Sequence, residues 1–305
     1  MPSPFVSSLT SVIFLAVSAV QAQEAPARIE ARGASFPYVS AGEGPPVVFL
    51  HGAFADHRFW DGQREATAQE HRFLSYTRRY YGVEDWPTVP DEMARIAQVN
   101  DLIALIGEWG GPAALVGMGN SGQVALKAAE LAPEKVRAIV LFEPTLLPLL
   151  WGSSGPEGGS EIADAYDADM AAALDPVMDG DNDRAMRQAY EFVFDLPPGG
   201  FDTLDPGFRA AVMELAPHLD YEGGVNVGPS LIDCAMLGRV RTPVLLVVGS
   251  ETKPAWSLAA EAAADCLPDA TLKVIEGVKH DWPITDGPAF ARMALEFIDR
   301  HLPRG

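Results

Sequence analysis

The sequence predicts an α/β fold, with a mostly parallel sheet and helices on both of its faces. Short apolar runs rich in β-branched residues recur along the chain, as in strands that are buried on both sides. Amphipathic helical patterns separate several of these runs, and such alternation is typical of parallel strands joined by helical crossovers. The apolar runs cover residues 46–50, 73–76, 113–117, 138–142, 244–248 and 271–275.

Two helical patterns flank the third apolar run. Apolar residues recur at helical spacing from Ile96 to Ile106 before this run, and again from Val124 to Leu131 after it. Pro133 lies just beyond the second pattern, where a proline is expected to mark a helix boundary. We therefore expect both segments to be helices that pack against the sheet.

The alternation stops between the fourth and fifth apolar runs. A glycine-rich loop at 151–159 leads into amphipathic helical stretches around 162–174, 184–194 and 208–215. We interpret residues 149–238 as a helical cap or lid inserted into a core formed by residues 23–148 and 239–305. We expect this insertion to cover the carboxyl-terminal edge of the sheet, where open α/β sheets bind ligands.

The amino-terminal segment resembles an export signal. An apolar run from Val12 to Val20 is too short to span a bilayer, and Val20-Gln21-Ala22 fits the small-x-small pattern of a signal peptidase site. No Lys or Arg precedes the run, so an uncleaved anchor or a wrongly chosen start codon is the alternative. We expect residues 1–22 to be a signal peptide, and the mature chain to be periplasmic or secreted without stable membrane insertion.

Charge and composition restrict the partners of the protein. The 305 residues carry a formal net charge of −20, which disfavours binding to nucleic acid or to anionic lipid surfaces. Because no cluster of Cys, His and carboxylate residues has metal-ligand spacing, we expect a small-molecule substrate or ligand and neither metal nor cofactor.

Export would permit a disulfide, but Cys234 and Cys266 are too few for a disulfide framework, and we expect two separate buried thiols.

Several motifs together resemble the α/β-hydrolase superfamily. The first motif is the segment from Tyr38 to Gly52, which passes through a predicted strand and ends in His51-Gly52. The second begins at Leu115-Val116-Gly117 and continues to Pro133-Glu134-Lys135-Val136. The third is Gly277-Val278-Lys279-His280, which follows the last apolar run. The resemblance covers nearly all of the mature chain except the insertion. It implies an α/β-hydrolase fold, in which a Gly-x-Ser-x-Gly elbow normally presents the nucleophile, but it does not name a substrate.

The nucleophile position of this chain holds glycine. In the resembling sequences, one residue separates Leu-Val-Gly from the nucleophile, so that Met118 is the variable residue and Gly119 stands at the nucleophile position. Pro133 agrees with this alignment without a gap. Ser121 would be the nucleophile only after a slip of two residues, which also places Gln123 where a small residue is needed. We favour the interpretation that the Ser121 hydroxyl bonds locally at a helix start.

The resemblance assigns roles to the remaining candidate residues. His280 stands where the family has its general base, and either Glu251 or Glu143 is the carboxylate that orients it, with Glu251 ranked slightly ahead. The backbone N–H groups of Ala53 and Asn120 are the candidate oxyanion donors, which do not depend on the missing serine.

These residues predict an enzyme of the hydrolase type with an unusual nucleophile site. We expect it to act on a small ester, lactone or related carbonyl compound, with water activated by His280. Three alternatives stay open: a serine hydrolase that uses Ser121, a pseudo-hydrolase that binds a small apolar ligand without catalysis, and a lyase or isomerase that uses the same base.

Overall fold

The computed structural model describes residues 26–87, 93–152, 155–219 and 230–302. The predicted signal peptide at 1–22 lies outside these ranges. Within them, no helix combines the length and the apolar character that a membrane span requires.

The described strands form one eight-stranded sheet in the order β1-β2-β4-β3-β5-β6-β7-β8. Strands β1 and β2 form an antiparallel hairpin, β2 also runs antiparallel to β4, and all later pairs are parallel. Each of the six predicted apolar runs is a strand, so the predicted fold class is confirmed. The strands are β1 Ala27–Ala31, β2 Ala34–Ala41, β3 Pro46–Leu50, β4 Arg72–Tyr76, β5 Ala113–Met118, β6 Val136–Phe142, β7 Val244–Gly249 and β8 Ala270–Ile275.

Helices cover both faces of this sheet. The helices are α1 Asp61–Ala68, α2 Ala94–Glu108, α3 Ser121–Leu131, α4 Gly159–Leu174, α5 Asn182–Val193, α6 Pro206–Met213, α7 Cys234–Leu237, α8 Pro254–Cys266, α9 Trp282–Thr285 and α10 Gly287–Ile298. Helices α2 and α3 match the two patterns that flank β5 in the sequence.

The alternation of side chains along β5 explains why two hydrophobic clusters form. Leu115 faces one side of the sheet with residues of α2, α3 and α8, such as Leu102 and Ala259. Val116 faces the opposite side and joins Phe290 of α10. Because both faces are buried, the central strands are apolar throughout, as the sequence pattern predicts.

Helices α4, α5 and α6 lie between β6 and β7 in the chain. Apolar side chains of these helices and of the segments between them form a third cluster, which includes Tyr190, Phe201 and Val212 and also takes in Phe54 from the loop after β3. The Tyr190 hydroxyl donates a hydrogen bond to the Phe54 carbonyl at 2.8 Å. This contact ties the helical segment to the sheet core, while its status as a separate lid stays a prediction.

The cysteines do not remain separate thiols. Cys234 in α7 and Cys266 at the end of α8 form a disulfide, with their Cα atoms 5.1 Å apart. The expectation of two free thiols is therefore wrong. The two cysteines are 32 positions apart, and the segment between them contains the whole of β7. The return of the chain through this strand brings α8 back beside α7.

Candidate active site

Gly119 forms the sharp turn between β5 and α3. Its φ angle of +57° lies in the left-handed region that favours glycine. The Gly119 N–H donates to the Phe142 carbonyl at 3.3 Å, and the Gly119 carbonyl accepts from the Thr145 N–H at 3.0 Å. The turn therefore has the strand-to-helix position of a nucleophile elbow, with hydrogen bonds that fix it to the segment after β6.

Ser121 is buried beneath this turn. Its Oγ lies 2.9 Å from the Met118 carbonyl and 3.0 Å from the Leu50 carbonyl, and it accepts a hydrogen bond from the Met118 N–H at 2.9 Å. The side chain has no exposed surface and does not contribute to the wall of the cavity described below. The contacts are those of a hydroxyl that bonds locally, and they argue against Ser121 as a nucleophile.

His280 and Glu143 come together at the carboxyl-terminal edge of the sheet. The His280 Nδ1 lies 2.6 Å from Glu143 Oε2, and the other oxygen of Glu143 accepts the Gly249 N–H at 2.9 Å. Glu143 is fully buried, so both of its oxygens are held by the fold. We assign the Nδ1 hydrogen of His280 to this contact, which leaves Nε2 as the basic nitrogen.

The structure reverses the ranking of the two carboxylates. Glu251 is exposed, and its backbone N–H donates to the Val278 carbonyl at 3.2 Å in the turn that follows β7. In the described part of the chain, its side chain makes no hydrogen bond or ion pair. The preference for Glu251 over Glu143 is therefore corrected, because β7 ends at Gly249 and the chain turns towards solvent before it reaches Glu251.

An aromatic ring that the sequence analysis did not single out covers one face of the His280 imidazole. Trp256 of α8 stacks on the His280 imidazole, with ring centroids 3.8 Å apart and planes inclined by 14°. In the sequence, Trp256 stands in an apolar helix pattern, which indicated only core packing. In the structure its side chain is almost completely buried. With Glu143 on one nitrogen and Trp256 on one face, the imidazole has little freedom to rotate.

The two candidate oxyanion donors lie on the wall of one cavity. Ala53 follows β3 and Asn120 follows Gly119, and both line this cavity together with His280. Within the described ranges, neither backbone N–H has a hydrogen-bond acceptor in the protein. Both groups can therefore donate to a ligand oxygen, as stabilisation of an oxyanion requires.

A buried polar network holds these two segments in place. Arg78 donates to the Gly52 carbonyl at 3.0 Å and to the Asn120 Oδ1 at 2.8 Å, so that one guanidinium bridges the segments that carry the two candidate oxyanion donors. His51 Nδ1 lies 2.8 Å from the same Gly52 carbonyl, while its Nε2 accepts the Arg78 N–H. Burial holds the pKa of His51 well below its usual value, which keeps the imidazole neutral.

The role of Arg78 was not found in the sequence. The segment from Tyr76 to Gly82 drew attention for its aromatic residues, but Tyr76 and Tyr81 are buried and do not line the cavity. Arg78 stands between Thr77 and Arg79, and a basic residue in such a polar sequence gives no sign of burial, so its bridging position could not be assigned from the sequence.

The cavity has a volume of about 790 Å³ and a largely apolar wall. Its core side carries Gly119, Asn120 and His280, and its opposite side comes from α4, α5 and the turn between them. The apolar residues on that side are Met170, Ala171, Leu174, Val177, Val193 and Phe194. This volume suits a small organic molecule, and the wall suits one with an apolar body.

A few polar groups lie in the same wall. Arg95 donates to the Gln123 Oε1 at 3.2 Å, and burial lowers the pKa of this arginine. Burial, followed by the charge of Asp164, raises the pKa of Asp167. In the part of the chain that the structure describes, no group of three or more His, Cys, Asp or Glu residues could hold a metal ion.

An elbow after a parallel strand, a histidine paired with a buried carboxylate, and two candidate N–H donors in the cavity wall are the features of a protein of the α/β-hydrolase type. Comparison with known families agrees. The chain belongs to the alpha/beta hydrolase family, whose model matches residues 47–293.

Similar proteins include enzymes with different activities. The chain is 26% identical to a non-heme chloroperoxidase of Streptomyces lividans over 258 residues, which are 78% of this chain and 86% of that protein. It is 23% identical to a 2-hydroxy-6-oxo-6-(2'-aminophenyl)hexa-2,4-dienoic acid hydrolase of Metapseudomonas resinovorans over 286 residues, which are 89% of this chain and 90% of that protein. Among solved structures, an esterase from Exiguobacterium antarcticum matches with a TM-score of 0.70 and 18% identity, covering 90% of this chain and 99% of the esterase.

Proposed function

We propose that the protein hydrolyses a small, largely apolar ester, lactone or related carbonyl compound with a water molecule activated by His280. The observation that carries the proposal is the pair of His280 and the buried Glu143, 2.6 Å apart, beside an elbow that has no nucleophilic side chain. The hydrolases among the similar proteins support an enzymatic activity. The loss of the serine removes covalent catalysis but leaves the base and the oxyanion donors.

The chemistry follows from the roles of these groups. The His280 Nε2 removes a proton from water while the water oxygen attacks the carbonyl carbon, and Glu143 stabilises the resulting imidazolium. The N–H groups of Ala53 and Asn120 donate to the oxyanion of the tetrahedral intermediate. When the intermediate collapses, the imidazolium returns the proton to the leaving oxygen, so that an acid and an alcohol are released.

Kinetic comparison of matched variants tests this proposal. Purified mature protein is assayed on short-chain p-nitrophenyl esters and on small lactones. We expect His280→Ala and Glu143→Gln each to lower the rate by about 10²–10⁴-fold. Glu251→Gln is the matched control, and it should leave the rate unchanged because its side chain is exposed.

Two results would contradict the proposal. Full activity in His280→Ala would remove the base from the mechanism. Tight binding of a small apolar ligand without turnover of any ester or lactone would instead support the alternative of a non-catalytic binding protein.

We also propose that the mature protein is exported. The disulfide between Cys234 and Cys266 supports this, because such bonds persist mainly in oxidising compartments. Amino-terminal sequencing of protein recovered from the producing cell should find Gln23 at the start. A mature chain that retains Met1 would contradict cleavage.

A further inference from the structure

The segment after β6 is locked against the elbow. The Thr145 N–H donates to the Gly119 carbonyl at 3.0 Å, and the Thr145 carbonyl accepts from the Gln123 Nε2 at 3.0 Å. Pro144 packs so closely that a Cβ added to Gly122 would lie 2.8 Å from the proline Cβ. The backbone of Thr145 therefore has a fixed position relative to Gly119.

The backbone N–H and carbonyl of Thr145 are both engaged, so that this residue can contact a ligand through its side chain. It lines the cavity and is partly exposed, and in the described part of the chain its hydroxyl makes no hydrogen bond. If Gly119 had a Cβ, the Thr145 Oγ1 would lie 3.7 Å from it, and apart from the adjacent residues no other described atom would come within 4 Å. The hydroxyl thus borders the space that a nucleophilic serine side chain would fill.

The other polar side chains around the elbow are already engaged. Asn120 accepts from Arg78 and donates to the Tyr81 hydroxyl at 2.8 Å. Ser121 is bonded to backbone groups, and Gln123 bonds Thr145 itself. Among the described polar side chains next to Gly119, Thr145 is therefore the one whose hydroxyl is available to bond a water molecule at the position of the family's serine.

We propose that Thr145 positions the attacking water, an inference that rests on the proposed hydrolytic function. One hydrogen of the water is transferred to the His280 Nε2, and the other is donated in a hydrogen bond to the Thr145 Oγ1. These two contacts direct the lone pair of the water oxygen at the carbonyl carbon. The new C–O bond forms as the carbonyl π pair moves to the oxygen held by Ala53 and Asn120. The proton on His280 then leaves with the displaced alkoxide.

A pair of variants separates the hydroxyl from the shape of the side chain. Thr145→Val keeps the shape and removes the hydroxyl, whereas Thr145→Ser keeps the hydroxyl. We expect Thr145→Val to lower kcat for p-nitrophenyl ester hydrolysis about tenfold with KM unchanged, since one hydrogen bond to the reacting water is lost. Thr145→Ser should retain most of the wild-type kcat.

An analogue of the tetrahedral adduct tests the same contact without turnover. An alkyl trifluoromethyl ketone forms a stable hydrate in water, and the two hydroxyls of this hydrate mimic the oxyanion and the attacking water. We expect fluorine NMR to show that Thr145→Val binds the hydrate about tenfold more weakly than the wild type, and that Thr145→Ser binds it normally. Equal binding by the wild type and Thr145→Val would overturn the role of Thr145.

Two controls separate the possible failures. If His280→Ala loses activity and hydrate binding while Thr145→Val loses neither, the role of Thr145 is wrong but the proposed function stands. If His280→Ala also retains both hydrolytic activity and hydrate binding, the proposed function fails. In a Gly119→Ser background, where a covalently attached hydroxyl replaces the water, Thr145→Val should leave fluorophosphonate labelling unchanged. Lost labelling there, or labelling of Thr145 itself in the wild type, would contradict positioning of water by Thr145.

Discussion

Substitution of Gly119 by serine should convert this site into one that reacts covalently. Gly119 lines the cavity, and a Cβ added there would lie 3.7 Å from the Thr145 Oγ1, with no other described atom within 4 Å apart from those of the adjacent residues. His280, oriented by Glu143, and the N–H donors of Ala53 and Asn120 are already in place. We therefore expect the Gly119→Ser variant to be labelled by a fluorophosphonate, which traps a base-activated hydroxyl.

The cost of this substitution comes from the backbone. The φ angle of +57° at Gly119 is unfavourable for a residue with a Cβ, by about 1–2 kcal/mol. Because space for the Cβ is available, we expect no further loss from steric overlap. At about 2–4 °C per kcal/mol for a domain of this kind, the Tm should fall by several degrees without loss of folding.

The assay compares four proteins by gel-based labelling and by thermal unfolding. Gly119→Ala is the matched control for strain, and it should show the same fall in Tm as Gly119→Ser but no labelling. The double variant Gly119→Ser/His280→Ala should also remain unlabelled, and so should the wild type. Labelling of the wild type at Ser121 would refute the placement of Gly119 at the nucleophile position. A folded but unlabelled Gly119→Ser variant would refute the expectation that His280 can activate a hydroxyl at this position.

Three further predictions concern the parts that surround the elbow. Trp256→Leu should slow hydrolysis up to about tenfold while Trp256→Phe retains most activity, because stacking on the imidazole is worth about 0.5–1.5 kcal/mol; equal rates in the two variants would contradict a positioning role. Replacement of Cys234 and Cys266 by alanine should lower the free energy of unfolding by about 2–4 kcal/mol in urea titrations, as should reduction of the wild type, and an unchanged midpoint would contradict this. Burial lowers the pKa of His51 in the folded state, so that below pH about 6.5 only the unfolded chain binds a proton at this residue. The free energy of unfolding should therefore fall by up to about 1.4 kcal/mol per pH unit between pH 6.5 and 5. The fall should be less steep in His51→Gln.

The sequence predicted the sheet because its strands are buried on both faces. Runs such as 113–117 and 244–248 are apolar at every position, and the structure places them in β5 and β7, each of which pairs with a strand on both sides. The position of Gly119 was predicted from the resemblance to the α/β-hydrolase superfamily, in which one residue separates Leu-Val-Gly from the nucleophile position. The structure places Gly119 directly after β5.

Contacts between distant parts of the chain could not be predicted in this way. The preference for Glu251 came from spacing after a single strand, whereas Glu143 reaches His280 across β7 from a neighbouring strand. The disulfide likewise depends on how α7 lies beside α8, which the spacing of two cysteines does not encode. Trp256 and Arg78 have ordinary local patterns, and only their tertiary contacts indicate a role in the site.

We predict that hydrolysis proceeds by direct attack of water, without a covalent intermediate. Intact-protein mass spectrometry during turnover of p-nitrophenyl acetate tests it most directly, because an acyl-enzyme would carry an acetyl group. We predict that the wild type keeps its unmodified mass throughout turnover and releases p-nitrophenol without a burst, whereas Gly119→Ser accumulates an acetylated species. An acetyl adduct on the wild type, at Ser121 or at any other residue, would contradict the account.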